Sequence, residues 1–186
     1  MRISQTSGAV LAFFTSASQH AAASSSSSCP GSPAAIHAKC EMTVTFPLNN
    51  CQEIKAEILG RIAGKRKWTD PHNGGTYTLL SSNTTAGTNT LQGSRRTANE
   101  KYTDLFQLNF VSSSTTENNC IVKACSESQV TSVLDYSTNY CNLHSLYCNA
   151  NSDGCPIVQQ ELQYKEDFKN CRQHEAAMCL SSPTVK

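Results

Sequence analysis

Five of the ten cysteines fall between Cys120 and Cys155, and this clustering constrains the fold more than any other feature of the chain. Their spacings, with four, fifteen, six and six residues between them, do not form the paired C-x-x-C knuckles of a zinc site. An even total behind an N-terminus of secretory type makes them disulfide anchors instead. The full set is Cys29, Cys40, Cys51, Cys120, Cys125, Cys141, Cys148, Cys155, Cys171 and Cys179. Ten cysteines allow about 945 pairings, so the sequence sets the number of bridges and leaves their connectivity open. Within the stretch, Ile121 and Val122 suit a strand tied down at Cys120 and Cys125. The polar run Asp135 to Asn139 and the last three cysteines then read as a loop-rich cap on a sheet.

Compartment and domain count follow. Arg2, the apolar run Gly8 to Phe14 and the small residues up to Ala23 have the order of a signal peptide, read here as residues 1–23. Residues 24–39 contain the serine run Ser24 to Ser28 and read as a flexible segment, 40–180 as one disulfide-rich domain and 181–186 as a tail. At 186 residues, 38% of them hydrophobic, the chain can build a real core, so the bridges staple it rather than replace it. A formal net charge of +1 gives no electrostatic reason to expect nucleic acid as the partner. No run approaches the roughly 18 apolar residues of a membrane span.

The order of elements reads as α+β. Cys40 to Phe46 alternates Met42, Val44 and Phe46 with Thr43 and Thr45, the pattern of a half-buried strand ended by Pro47. Asn50 and Glu53 have capping-box spacing and Gly64 is placed to end the helix between them. Cys51, Ile54, Ile58, Leu59 and Ile62 form its apolar stripe, which leaves Glu53, Lys55, Glu57 and Arg61 mostly in water. Lys65-Arg66-Lys67-Trp68 follows as a helix exit whose cations suit the C-terminal dipole or an anionic surface. Asp70 to Gly75 is a turn.

Thr76 to Ser82, Asn89 to Thr97 and Lys101 to Ser112 read as strands joined by hairpins, with Tyr102, Phe106, Leu108 and Phe110 facing the helix and Asp104 among them. Asn83 heads an N-x-T sequon expected in a loop. Val158, Gln160, Leu162 and Tyr164 alternate like an edge strand, and Phe168 to Met178 steps like a short helix. One main helix across an antiparallel sheet, stapled by disulfides, is the cystatin-like order of elements.

The runs CSESQV (Cys125 to Val130), DYSTNYC (Asp135 to Cys141) and LYC (Leu146 to Cys148), with DPHNGGTY and KYTD upstream, carry a resemblance. Over about residues 40–155 the chain resembles small secreted cysteine-rich proteins of algae and other protists. That resemblance implies a shared secreted fold and no particular activity.

No catalytic or cofactor motif is present, and no cofactor is expected. His20 belongs to the signal-peptide reading, and His37, His72, His144 and His174 sit singly in polar settings. His72, His144 and Glu127 are the residues an enzyme reading would have to use. Asn149, Asn151, Asp153 and Gly154 imitate half of a calcium loop, but Gln160 stands where a bidentate glutamate is required. Cys141, His144 and Cys148 lose their zinc capacity if the thiols are oxidised, so no metal is expected.

The chain therefore reads as a secreted, non-catalytic binding module for an extracellular protein, glycan or lipid. Its contact residues are expected in the tyrosine- and asparagine-rich cap: Tyr136, Asn139, Tyr140, Asn142 and Tyr147. The alternatives are a cystatin-like protease inhibitor, for which Gln129 to Val133 offers a glutamine but no glycine in place, and a secreted enzyme. Thiol titration of the denatured, unreduced secreted protein is expected to find nothing to label. Two or more reactive thiols would contradict both the compartment and the staple reading.

Overall fold

A computed structural model describes residues 29–85, 88–112 and 118–180, so the signal-peptide reading for 1–23, residues 24–28 and the tail 181–186 lie outside the described residues. The fold mixes α and β. Six strands, β1 (Lys39–Phe46), β2 (Thr76–Thr85), β3 (Thr88–Arg96), β4 (Thr103–Ser112), β5 (Cys120–Ser128) and β6 (Lys165–Cys171), form one antiparallel sheet. Their order is β2-β3-β4-β5-β1-β6. The helices are α1 (Cys51–Ile62), α2 (Thr138–His144) and α3 (Ala150–Asp153), with 3-10 turns at Lys65–Lys67 and Ala176–Leu180.

The alternation of β1 sends Met42, Val44 and Phe46 into the core beside Leu91, Phe106, Leu108, Phe110 and Val122. Ile54 and Ile58 of α1 fill the same core. The helix starts where its capping box dictates: Asn50 Oδ1 accepts from the N–H groups of Gln52 and Glu53, each at 3.0 Å, and the Glu53 carboxylate accepts from Asn50 N. Gly64, at φ 61°, provides the left-handed residue that stops it.

All ten cysteines are paired. Cys51–Cys120 ties the start of α1 to the start of β5, and Cys40–Cys171 joins neighbours on β1 and β6. Cys29–Cys125 pins the N-terminal strap to β5, Cys141–Cys179 holds α2 to the C-terminal 3-10 turn, and Cys148–Cys155 closes the loop bearing α3. Five bridges are typical of extracellular proteins.

Several expectations change. Glu57 and Arg61 are fully buried, not solvated, and ion-paired at 2.8 Å. Glu57 also accepts from the backbone N–H groups of Val158 at 2.8 Å, Gln159 at 2.5 Å and Gln160 at 3.3 Å, while Arg61 Nη1 donates to Ser145 O at 3.1 Å. On the side of α1 that periodicity assigns to water, Glu53 is exposed, but the part around Glu57 and Arg61 is covered by a second layer, the 156–160 segment and the end of α2. Gly60 permits that approach, because a Cβ there would lie 2.9 Å from Val158 Cγ1.

The same contacts explain why the edge strand expected at Val158 to Tyr164 is absent: its backbone donors go to Glu57 rather than to a ladder. The edge strand is β6 instead, displacing the expected helix over Phe168 to Met178. Its sequence KEDFKNC carries the charges that protect an exposed edge. Tyr102 precedes β4 and is 54% exposed rather than on the buried face. Asn83 is exposed but lies within β2, since pairing with β3 continues through Thr85. The flexible segment expected over 24–39 gives way from Cys29 onward to a strap: Ser32 Oγ donates to Ser128 O at 2.7 Å and His37 Nε2 meets Glu127 Oε2 at 3.0 Å.

Ile58→Ala is expected to cost roughly 2–5 kcal/mol in urea denaturation. Glu57→Ala, which strands a buried guanidinium, is expected to cost about 3–5 kcal/mol. Burial raises the pKa of Glu57, but the donors from Val158, Arg61 and Gln159 outweigh it and hold the carboxyl below its ordinary value. Its ionised form therefore stabilises the fold above the ordinary carboxylate pKa, and that contribution is lost as pH falls through the depressed value. Glu57→Gln should flatten the acid side of the stability profile. An unchanged acid slope would contradict the assignment.

Candidate functional site: a groove beside the cap

Four of the five residues expected to touch a ligand are inside the protein. Asn139, Tyr140, Asn142 and Tyr147 are buried, and only Tyr136 stands in solvent. The reading of the whole Asp135 to Asn151 segment as a contact surface is therefore corrected, because most of the polar groups of α2 are buried and bonded to one another and to the sheet.

Asn139, at the start of α2, accepts from Ser126 Oγ at 2.8 Å and donates towards Asp135 Oδ2 at 2.9 Å, Ser128 Oγ at 3.2 Å and Ala38 O at 3.2 Å. One amide thus ties α2, β5, the strap and the loop before α2 together. Asn142 donates to Asp104 Oδ2 at 2.9 Å and to Ser126 Oγ at 3.0 Å. Burial raises the pKa of Asp104, against the opposing donors Asn142 and Ser128.

Tyr140, His144 and Tyr147 converge on Glu166 of β6. Tyr147 Oη donates at 2.5 Å and Tyr140 Oη at 3.1 Å, while His144 Nδ1 lies 2.9 Å from the same carboxylate. Burial, and then the Glu166 charge, push both tyrosine pKa values up. His144 is thus not the isolated histidine expected from sequence, but the four principal clefts are lined by none of these four residues. The cluster joins α2 to the edge strand.

His72 is buried too, with Nδ1 2.9 Å from Met178 O, and burial first and then Arg95 lower its pKa. Glu127 holds the strap. In the calcium-like run, Asn149 Oδ1 caps α3 through Ser152 N at 2.7 Å, and Asp153 Oδ2 accepts from Tyr164 Oη at 2.6 Å and Asn149 N at 2.8 Å. The sulfur atoms near His144 belong to the Cys148–Cys155 bridge, and Cys141 is bonded to Cys179. Disulfide sulfur lacks the thiolate charge a zinc ligand needs.

The exposed apolar surface collects elsewhere. Val133 is 73%, Tyr136 67%, Ile36 64% and Leu134 63% exposed, all on the loop between β5 and α2 or on the strap facing it. Two clefts open among them. One, of about 520 Å³, lies between the strap, the loop and the chain after β6, with Lys39, Asn170 and Arg172 in its wall. The other, of about 330 Å³, runs from Tyr136 past His174 to Met178. They adjoin at Arg172 and Gln173, which line both.

The loop is held firmly. Gln173 Oε1 accepts from the N–H groups of Asp135 and Tyr136 at 3.1 and 2.9 Å, Ala38 N donates to Ser132 Oγ at 2.9 Å, and Glu175 N donates to Ser137 Oγ at 3.1 Å. Tyr136 and Ser137 sit at φ 50° and 66°, in the left-handed region that side chains other than glycine and asparagine avoid.

Three charges in the first cleft have no ion pair among the described residues, Lys39, Arg172 and Asp135, and their balance is cationic. Asp135 is occupied by Asn139, whereas Lys39 and Arg172 have no acidic partner among the described residues. Of the residues that line the two clefts, sequence reasoning singled out Tyr136 and passed over Ile36, Lys39, Arg172 and Gln173; the adjacent Val133 and Leu134 in a polar loop were the available signal. Comparison with protein-family models, curated proteins and solved structures finds no match to this chain.

Asn139→Ala removes the amide that holds the loop and leaves buried partners unsatisfied, a loss of about 1–3 kcal/mol for each stranded group. Amide exchange is expected to quicken over residues 130–137 more than in β4. Equal acceleration in both would show that Asn139 serves the fold as a whole and not the groove.

Proposed function

We propose that the protein is a secreted, non-catalytic binding module whose groove takes an extended segment of an extracellular protein partner. Apolar side chains of that segment lie against Ile36, Val133 and Leu134, and an acidic group meets Arg172 or Lys39. The carrying observation is the joint exposure of four large apolar side chains around two adjoining clefts, in a chain that buries most of its other large apolar residues. The supporting argument is preorganisation. Gln173, Asn139 and the Cys29–Cys125 and Cys141–Cys179 bridges fix the walls before binding, which lowers the ordering cost.

The alternatives have less support. For a cystatin-like inhibitor, the glutamine at the candidate tip would have to reach outward, but Gln129 Nε2 is bonded back to Gly31 O at 3.1 Å. For an enzyme, the candidate histidines His72 and His144 are buried. A lipid site between helix and sheet has no room, since Ile54 and Ile58 fill that space.

Selection from a random peptide library on the immobilised protein tests the reading. Peptides pairing apolar residues with Asp or Glu should be enriched. Val133→Asp and Arg172→Ala should each weaken their binding by at least about tenfold, with Leu80→Ala on β2 as an unaffected control. No enrichment, or equal binding to the Val133→Asp variant, would sink the proposal.

A further inference from the structure

A second trough runs around the start of β2, from the helix side of the sheet to its open face, and the peptide groove makes no use of it. It consists of a cleft of about 270 Å³ beside the exit of α1 and another of about 450 Å³ over the β3–β4 turn, which meet at Gly74 and Thr76. Hydroxyl groups dominate the larger cleft, through Thr76, Thr78, Ser94, Thr97 and Thr103. No exposed large apolar side chain lines either.

Cations stand at both ends. Lys65, Arg66 and Lys67 are exposed between Gly64 and Trp68, two residues that line the smaller cleft, and Arg96 lines the larger. Arg66 and Lys67 are held at φ 54° and 60°, a conformation that costs energy in a residue with a Cβ and that a glycine would adopt freely. Two carboxylates lie along the trough. Asp70 is neutralised by the buried guanidinium of Arg95 at 2.6 Å. Glu100 meets Arg96 at 3.3 Å with side chains 71% and 52% exposed, a weak surface pair that a stronger anion can replace.

We propose that this trough binds a linear anionic polysaccharide, with sulfate or carboxylate groups on the Lys65–Lys67 turn and on Arg96 and with sugar hydroxyls hydrogen-bonded along the threonine floor. Arg66 and Lys67 are held in strained backbone, and with Lys65 they stand in solvent rather than in any ion pair among the described residues, which is the observation that marks the turn as functional. A polysaccharide fits better than a bilayer, because three clustered cations fall short of the four to eight of a lipid-binding segment and no exposed large apolar side chain lines either cleft. Nucleic acid fits less well, since the rings of Trp68 and Tyr77 are buried and the exposed ring of Tyr102 lines neither cleft.

Heparin serves as the probe. The wild-type protein should be retained on immobilised heparin at physiological salt and released as salt rises. The triple variant Lys65→Ser, Arg66→Gly, Lys67→Ser should bind roughly hundredfold more weakly, about a factor of five for each cation. Arg66→Gly alone should weaken binding yet raise the melting temperature by about 2–4 °C, which separates lost recognition from lost fold. Three outcomes would overturn the proposal: no retention of the wild type, elution of the triple variant at the wild-type salt concentration, or binding to phosphatidylserine vesicles without binding to heparin.

Discussion

The buried pair of Glu57 and Arg61 is the constraint from which the rest of the architecture follows. A helix lying on a sheet needs only its apolar stripe, and Ile54 with Ile58 provides that. Glu57 and Arg61 extend the helix's reach to its other side: the carboxylate takes three backbone donors from 158–160, and the guanidinium takes Ser145 O at the end of α2. Two charges taken out of water are tolerable only when paired and hydrogen-bonded in this way, which leaves Arg61 Nη2 as the buried polar atom of the pair without a partner. The consequence is a second layer of chain, itself closed by Cys148–Cys155 and Cys141–Cys179, anchored to α1 through polar contacts.

That layer positions the groove. With α2 fixed against the sheet, Asn139 reaches the strap, β5 and Asp135 at once, so the loop from 129 to 137 has little freedom left. Its apolar side chains then have nowhere to go but outward. Backbone conformation points to the same places. Among the described residues, the non-glycine positions with positive φ are Arg66, Lys67, Asn73, Glu100, Tyr136 and Ser137. The last two border the groove between strap and loop, and the first four lie on or beside the hydroxyl-lined trough. Strain of this kind persists where surrounding contacts over-determine it, which is common at sites kept for recognition.

Local signals in the sequence were readable and long-range ones were not. The Asn50–Glu53 capping box and the alternation of β1 each report a short-range physical requirement, and both elements fall where expected. Glu57 and Arg61 were misplaced because helical periodicity registers one buried face and cannot register a second layer arriving from residues 145–160. Tyr140, Asn142 and Tyr147 were misplaced for a related reason: polar side chains that satisfy one another in the interior have the same composition as a recognition loop. The groove itself draws on residues 36–39, 132–136 and 172–173, brought together by bridges whose pairing no spacing rule could give.

Recognition through the groove between strap and loop is the central claim, and site-specific photo-crosslinking tests it most directly. A photoreactive amino acid at Val133, compared with one at Leu80 on the far edge strand, would be irradiated in the folded protein mixed with extracellular extract. The account predicts a discrete crosslinked partner from Val133, suppressed by Arg172→Ala, and none from Leu80. Crosslinks of equal yield from both positions, or a Val133 adduct indifferent to Arg172, would contradict it.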